Sequence, residues 1–264
     1  MAGEEMTKQL FGGIEGGGTK FVCAVGAGPD DIRAEIRFPT TAPEDTMARV
    51  VEFFKRQEAD FGRLSAIGFA CFGPLDPNPD SPTFGRILPT PKPGWTNADV
   101  VGVLRSAFGV PIAFDTDVNG AALGESRWGA GQGLRNFIYL TVGTGIGGGI
   151  YAEGKLLHGL IHPEMGHILL RRDKEKDSFE GACPFHGDCF EGLASGVAIE
   201  KRWKQSGHSL PPEHPAWDLE ADYIGQALAN YAFALSPQRI IIGGGVGSLE
   251  HLLPRIRQKT KQYI

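Results

Sequence analysis

The sequence predicts an α/β protein in which one strand-and-helix pattern occurs twice. Three short β-branched or alternating runs, LFGGIEG, KFVCAVG and IRAEIRFPT, open the chain, separated by Gly-rich and Asp/Gly/Pro turns. A second set begins with NFIYLTV and GGIYAEG, and in both halves the first hairpin turns on glycine. With 264 residues, the chain is long enough for one large domain or two lobes.

In order, the three opening runs read as a meander. Pro43 to Phe61 follows with Met47, Val50, Val51 and Phe54 on one helical face. Ser65 to Gly73 is an apolar strand. Pro74 to Thr96 holds too many prolines for regular structure and reads as a functional loop or lid. Asn97 to Gly109 is expected as a short helix, Val110 to Phe114 as a strand, and Val118 to Trp128 as a helix. The second set starts at NFIYLTV and ends in a third short strand near His167 to Leu170. Helices are expected at Glu191 to Gln205 and at Leu219 to Leu235, where Ala221, Ile224, Leu228, Tyr231 and Leu235 keep helical spacing. Strand RIIIGGG and a helix to Gln262 complete the pattern. Both halves read β-turn-β-β-α-β-α, a duplication with a cleft between an N-terminal lobe, 1–117, and a C-terminal lobe, 118–264. The first half closes with a fifth strand, whereas the second stops at Ile264 where its counterpart would begin, so a final strand and helix are expected to be missing.

Composition narrows the partners. The net charge of −5 and the absence of a Lys/Arg block give no footprint for nucleic acid. No 18-residue apolar run is long enough to span a bilayer, and MAGEEMTKQL lacks the regions of a signal peptide, so a cytoplasmic location and no membrane partner are expected. Cys23 and Cys71 sit in apolar runs and read as buried thiols. The 38 glycines cluster after apolar runs, where backbone amides can approach a ligand closely.

EGGGTK, Glu15 to Lys20, is no Walker A loop, because a strand rather than a helix follows Lys20. VGTGIGGG contains a G-x-G-x-x-G in Gly143, Gly145 and Gly148, but it too leads into a strand, against a dinucleotide fold. Two facing hairpins, one with Lys20 and one with Thr144, suit the β- and γ-phosphates of a nucleotide; plain tight hairpins are the alternative. Glu15 is placed to orient Mg2+ through water. FDTDVNG sets Asp115 and Asp117 where an apolar strand ends, either as a site or as caps of the following helix.

Glu15-Gly-Gly-Gly-Thr-Lys20, Asp115-Thr-Asp-Val-Asn-Gly-Ala-Ala122, Thr141-Val-Gly-Thr-Gly-Ile-Gly147, His162-Pro-Glu-Met-Gly-His167 and Ile242-Gly-Gly-Gly-Val246 resemble the ordered motifs of the ROK sugar kinases. The resemblance spans nearly the whole chain. It implies the actin-like, hexokinase-type ATPase fold of duplicated ribonuclease H-like lobes, and transfer of the ATP γ-phosphoryl group to a sugar hydroxyl. PTPKPGW, Glu15 and a Cys/His segment resemble the fructokinase branch; glucokinases of the family usually start the first loop with Asp and have Asn where this chain has Thr116. Fructose leads, with another hexose as runner-up, and a sugar-sensing repressor or a chaperone-like ATPase as rivals. The first phosphate loop starts too early for a preceding helix-turn-helix, which argues against a repressor.

By the same resemblance Asp117 is the general base for the sugar hydroxyl, while Glu164, His167 and Glu191 contact sugar hydroxyls and Asn119, one turn beyond the base, is expected to bind the sugar as well. Mg-ATP is expected on Glu15, Gly16, Gly17, Gly18, Thr19 and Lys20, on Gly143, Thr144 and Gly145, and on Gly244 and Gly245. A homodimer is also implied. Cys183, His186 and Cys189 fall at three-residue intervals and, with His167, make an N2S2 set suited to structural Zn2+. Relatives usually have three cysteines in this segment, so His186 replaces one. Two reduced surface thiols are the rival reading.

Overall fold

A computed structural model describes residues 9–264. Most of the MAGEEMTKQL stretch lies outside the described residues. No described helix is long and apolar enough to cross a membrane. The chain divides into two compact units, one running to Gly120 and taking in Gly159–His162, the other made of Ala121–His158 and Pro163–Ile264. The division falls three residues beyond the expected boundary at 117. The excursion of Gly159–His162 has no signature in the sequence pattern; within the first unit, His162 Nε2 accepts from the Leu75 amide at 3.2 Å.

The first unit is built on a five-stranded sheet in the order β3-β2-β1-β4-β5. β1 (Phe11–Gly16), β2 (Lys20–Gly28) and β3 (Asp31–Pro39) form the expected meander. β4 (Ala66–Cys71) and β5 (Ile112–Thr116) then add in parallel. The register pairs Gly16 with Cys71 and Cys71 with Thr116, so three parallel strands end on one line. Ligands bind beyond such carboxyl ends in open α/β sheets. β5 runs two residues later than expected because its pairing with β4 continues through Ala70↔Asp115 and Cys71↔Thr116.

Helix α1 (Pro43–Phe61) lies as predicted and buries Met47, Val50, Phe53 and Phe54. A side chain at Gly12 would start 2.9 Å from the Phe54 ring, so glycine there lets the helix sit directly on β1. Rings of Phe21, Phe69 and Phe114 continue the core at centroid spacings of 6.0 and 5.4 Å. Helix α2 (Val100–Phe108) begins three residues after the expected Asn97. Asn97 has φ of 64°, outside the helical region, and Asp99 caps the helix by accepting from Gly102 N at 2.8 Å. Helix α3 (Asp117–Trp128) follows β5 directly.

The second unit carries a four-stranded sheet in the order β8-β7-β6-β9. β6 (Phe137–Val142) pairs antiparallel with β7 (Ile146–Ala152) and parallel with β9 (Arg239–Gly243). The third strand is not at His167–Leu170 but is the two-residue β8 (Lys155–Leu156). Met165–His167 instead forms a 3-10 turn, and Leu169 makes only an isolated bridge to Cys189. The helix expected at Glu191–Gln205 is two, α4 (Phe190–Ala194) and α5 (Gly196–Trp203), because extended Ser195 interrupts it and caps α5 through Ala198 N at 3.2 Å. α6 (Ala216–Leu235) starts early enough to bury Trp217, and α7 (Leu252–Tyr263) packs on it.

The proline-rich stretch Pro74–Thr96 is irregular but anchored rather than free. Leu75, Ile87 and Trp95 are fully buried in the first core. The Trp95 ring lies 5.8 Å from Phe21 and 5.1 Å from Phe72, and its Nε1 donates to Thr41 O at 2.9 Å. Trp95→Ala is therefore expected to lower stability by about 3–5 kcal/mol in urea unfolding, the cost of a large buried ring and the cavity it leaves.

Candidate active site

Four carbonyls of the first glycine turn are all taken by donors from elsewhere in the same unit. Phe72 N donates to Gly16 O at 2.6 Å, Thr40 Oγ1 to Gly17 O at 2.7 Å, Lys92 Nζ to Gly18 O at 2.5 Å and Thr40 N to Thr19 O at 2.9 Å. Gly17 N closes the turn on Lys20 O at 2.9 Å. The amides of Gly18 and Thr19 donate to nothing among the described residues. A side chain at Gly16 would start 2.8 Å from the Phe21 ring, whereas one at Gly18 would meet nothing within 4 Å. Glycine is thus demanded by packing at the first position, and the turn is open at its tip. Glu15 and Lys20 are exposed beside it.

Asp117 begins α3 where β5 ends. Burial pushes its carboxyl up from 3.8 to about 6; the Val118 amide at 2.9 Å pulls it back in part, and the Glu15 charge raises it again. The capping alternative falls to its neighbour: Thr116 Oγ1, buried, accepts from Asn119 N at 3.1 Å at the start of α3. Asp115 Oδ1 accepts from Asn119 Nδ2 at 2.7 Å and from Thr116 N at 2.7 Å. Asn119 is fully buried, so its place is to hold Asp115 rather than to face solvent. Cys71, at the end of β4, has its thiol pushed up by burial and by the Asp117 charge, and stays protonated beside it.

In the second unit the Gly143–Gly145 turn repeats the arrangement of the first. Gly196 N donates to Gly143 O at 2.7 Å, Val197 N to Thr144 O at 3.4 Å and Gly143 N to Gly145 O at 2.9 Å. Glu191 Oε2 accepts from Ile146 N at 2.9 Å. The amides of Thr144 and Gly145 donate to nothing among the described residues. The third glycine turn lies alongside: a side chain at Gly143 would start 3.7 Å from Gly245 N. Gly244 has φ of 87°, and a Cβ there would run into Val142 O, so glycine is obligatory.

The same unit brings His167, Cys183, His186 and Cys189 together, with one donor atom from each inside 4.8 Å of the others. His167 Nδ1 is 3.5 Å from Cys189 Sγ and 3.8 Å from Cys183 Sγ, and His186 Nδ1 is 3.7 Å from Cys183 Sγ. Tetrahedral zinc with bonds of about 2.0–2.3 Å has ligand-to-ligand edges of about 3.3–3.8 Å, so the donor set fits such an ion. His167 Nε2 points the other way, 4.0 Å from Glu164 Oε2. The segment leading to Cys183 is fixed by Asp177, which accepts from Arg202 at 3.2 and 3.0 Å and from the Tyr223 hydroxyl at 2.7 Å.

Every residue expected at the site is therefore placed in one of two clusters. The first unit gathers Glu15 to Lys20, Asp117 and, behind it, Asn119. The second gathers Gly143 to Gly145, Gly244, Gly245, Glu164, His167, Glu191 and the Cys/His quartet. Thr40, Lys92, Gly196 and Val197, which hold the turns, carry no role in the sequence reading. Lys92 belongs to the PTPKPGW stretch, but its contact with Gly18, 74 residues away, has no signal in the sequence.

The chain matches the ROK family over residues 11–264. It is 46% identical to a fructokinase of Zymomonas mobilis subsp. mobilis, covering 97% of this chain and 86% of that protein. It is 43% identical to a fructokinase of Pediococcus pentosaceus over the same shares. Among solved structures, a ROK hexokinase from Thermus thermophilus is similar at 29% identity and a TM-score of 0.77, covering 97% of this chain and 89% of the other. A ROK family glucokinase from Streptomyces griseus, in complex with glucose and AMPPNP, is similar at 26% identity and a TM-score of 0.77, covering 96% and 89%. With these matches along its length and the duplicated sheets described above, the chain belongs to the ROK family and has its actin-like, hexokinase-type fold.

Proposed function

We propose that this protein is an ATP-dependent fructokinase, with Asp117 as general base for the 6-hydroxyl of fructose. The observation that carries the reading is a half-buried carboxylate tuned to about 6, in a chain whose two glycine hairpins both leave amides unclaimed among the described residues. Phosphoryl transfer asks for positioning, charge neutralisation and a group at the attacking hydroxyl. The hydroxyl proton passes to the Asp117 carboxylate as the oxygen bonds to the γ-phosphorus, and the bond to the ADP oxygen breaks. Amides of Gly18, Thr19, Thr144 and Gly145 stabilise phosphate oxygens, as backbone nests do, with Lys20 beside the first turn and Gly244 and Gly245 taking the adenosine side. Glu15 would hold Mg2+ through water, and the ion would supply further charge neutralisation when bound. The ROK fructokinases named above support fructose over other hexoses.

Glu164, His167 and Glu191 are assigned to sugar hydroxyls, and Asn119 acts through Asp115. His167, Cys183, His186 and Cys189 are assigned to zinc. These four residues would fill all the positions of such an ion, so its part would be to fix the His167 loop and not to activate water. Elemental analysis of protein purified without chelator should find stoichiometric zinc; removing it should weaken hexose binding or stability before it changes any chemical step.

A coupled ADP-release assay over a hexose panel should give the highest kcat/KM with fructose, and release with no hexose preference would overturn the reading. Asp117→Asn should bind both substrates while losing about 10²- to 10⁴-fold in turnover. The base works ionised, so kcat/KM should fall as pH drops through about 6. Glu15→Gln, which removes a like charge, should move that limb to lower pH.

The same shift has a stability sign. Asp117 titrates higher in the fold than at its ordinary 3.8, so folding takes up a proton between these values and stability declines as pH rises through the window. Above about 6 the full cost of a charged, half-buried carboxylate is present. Asp117→Asn should therefore raise stability at pH 8 by on the order of 2 kcal/mol, a gain that vanishes below about pH 4. Denaturant unfolding of both proteins at the two pH values measures it.

A further inference from the structure

Glu191 has a contact that its assignment to a sugar hydroxyl does not explain. Its Oε2 accepts from Ile146 N at 2.9 Å, the first amide after the Gly143–Gly145 turn. A side chain at Gly145 would start 2.7 Å from this same oxygen, so the carboxylate lies close against the turn. The other end of the turn is held by the start of α5, through Gly196 N to Gly143 O at 2.7 Å and Val197 N to Thr144 O at 3.4 Å. Both grips come from one short stretch of chain. Glu191 lies in the first turn of α4, its carbonyl accepts from Ser195 N at 3.1 Å, and Ser195 caps α5.

The geometry points to Glu191 as a positioning residue for the nucleotide turn. One oxygen holds the Ile146 amide, and the other has no hydrogen-bond partner among the described residues. The bond is charge-assisted and only partly exposed to solvent, which makes it worth more than a neutral one. It fixes the strand that leaves the turn, while α5 fixes the carbonyls within it, and together they aim the Thr144 and Gly145 amides outward. Nucleotide affinity thus depends on Glu191 even when no sugar is present. Because Cys189 stands two residues before it at the head of α4, the same device ties the turn to the metal-ligand segment. This inference rests on the reading that the Gly143–Gly145 turn holds nucleotide phosphate.

The test is equilibrium binding of trinitrophenyl-ATP with Mg2+ to the full-length protein, purified with its metal and with no hexose present. Glu191→Ala and Glu191→Asp, whose carboxylate is one methylene too short, should each weaken binding by about fivefold or more. Glu191→Gln keeps an oxygen that can accept from Ile146 N and should stay within about twofold of the parent. Hydrogen exchange in the peptide containing Ile146 should quicken in the Ala and Asp variants alone. Parent-like binding by Glu191→Asp would overturn the positioning role while leaving the fructokinase reading intact. A parent protein that binds no nucleotide would overturn both. If Glu191→Ala loses metal or unfolds, the contrast between Asp and Gln decides the question.

Discussion

A glycine turn can offer its amides to an anion only when its carbonyls are held elsewhere, because an unheld carbonyl would present negative charge to the same ligand. That constraint shapes both units. In the first turn the donors are Phe72, Thr40 and Lys92, drawn from the end of β4, the chain before α1 and the proline-rich stretch. In the second they are Gly196 and Val197 at the start of α5, plus Gly143 within the turn. The proline-rich stretch and the α4–α5 break therefore serve one purpose: each brings a donor to a carbonyl that its own hairpin cannot satisfy. Trp95, buried against Phe21 and Phe72, anchors the stretch that carries Lys92 and so connects core packing to turn geometry.

The carboxylate at the end of β5 shows what such a scaffold costs. A carboxyl that titrates near 6 is poised to take a proton near neutral pH, which an aspartate at its ordinary value does less well. The shift is produced chiefly by lost solvation, with the Glu15 charge adding to it, and both disfavour the ionised fold. Backbone amides, that of Val118 and its own, offset part of this. Asp115, two residues earlier, is held by Asn119 and Thr116 N and shows how a carboxylate at the same strand end that is tied to a side-chain amide becomes support instead.

The strands and long helices were legible because their signals are local. The opening meander, α1, β6, β7 and β9 each declare themselves by alternation or helical spacing within their own length. What failed was decided by distant partners. The start of α2 depends on Asp99 bridging Arg86 and capping Gly102, and the identity of the third strand in the second sheet depends on which segment reaches β7. The break at Ser195 hides inside a sequence that reads as one helix, since serine is tolerated in both settings and only its bond to Ala198 N reveals the cap. Among site residues, the Cys/His spacing and the glycine clusters spoke clearly; Thr40 and Lys92 are ordinary residues made significant by contacts 23 and 74 positions away.

His167 joins the metal-ligand set to the proposed sugar site through the two sides of one ring. Nδ1 faces the sulfurs of Cys183 and Cys189, while Nε2 faces Glu164. In neutral imidazole the proton can rest on either nitrogen, and a ring free to exchange tautomers would present a donor at one moment and an acceptor at the next. A metal ion held at Nδ1 would remove that freedom: the proton would sit on Nε2, which would then donate only. Beside it Glu164, as a carboxylate, accepts only. A hydroxyl is both donor and acceptor, so a fixed donor and a fixed acceptor about 4 Å apart define one orientation of a polyol carbon rather than several. A metal ion held by this set would in this way govern how a sugar hydroxyl is presented at His167 in the proposed site, by settling where a single proton resides.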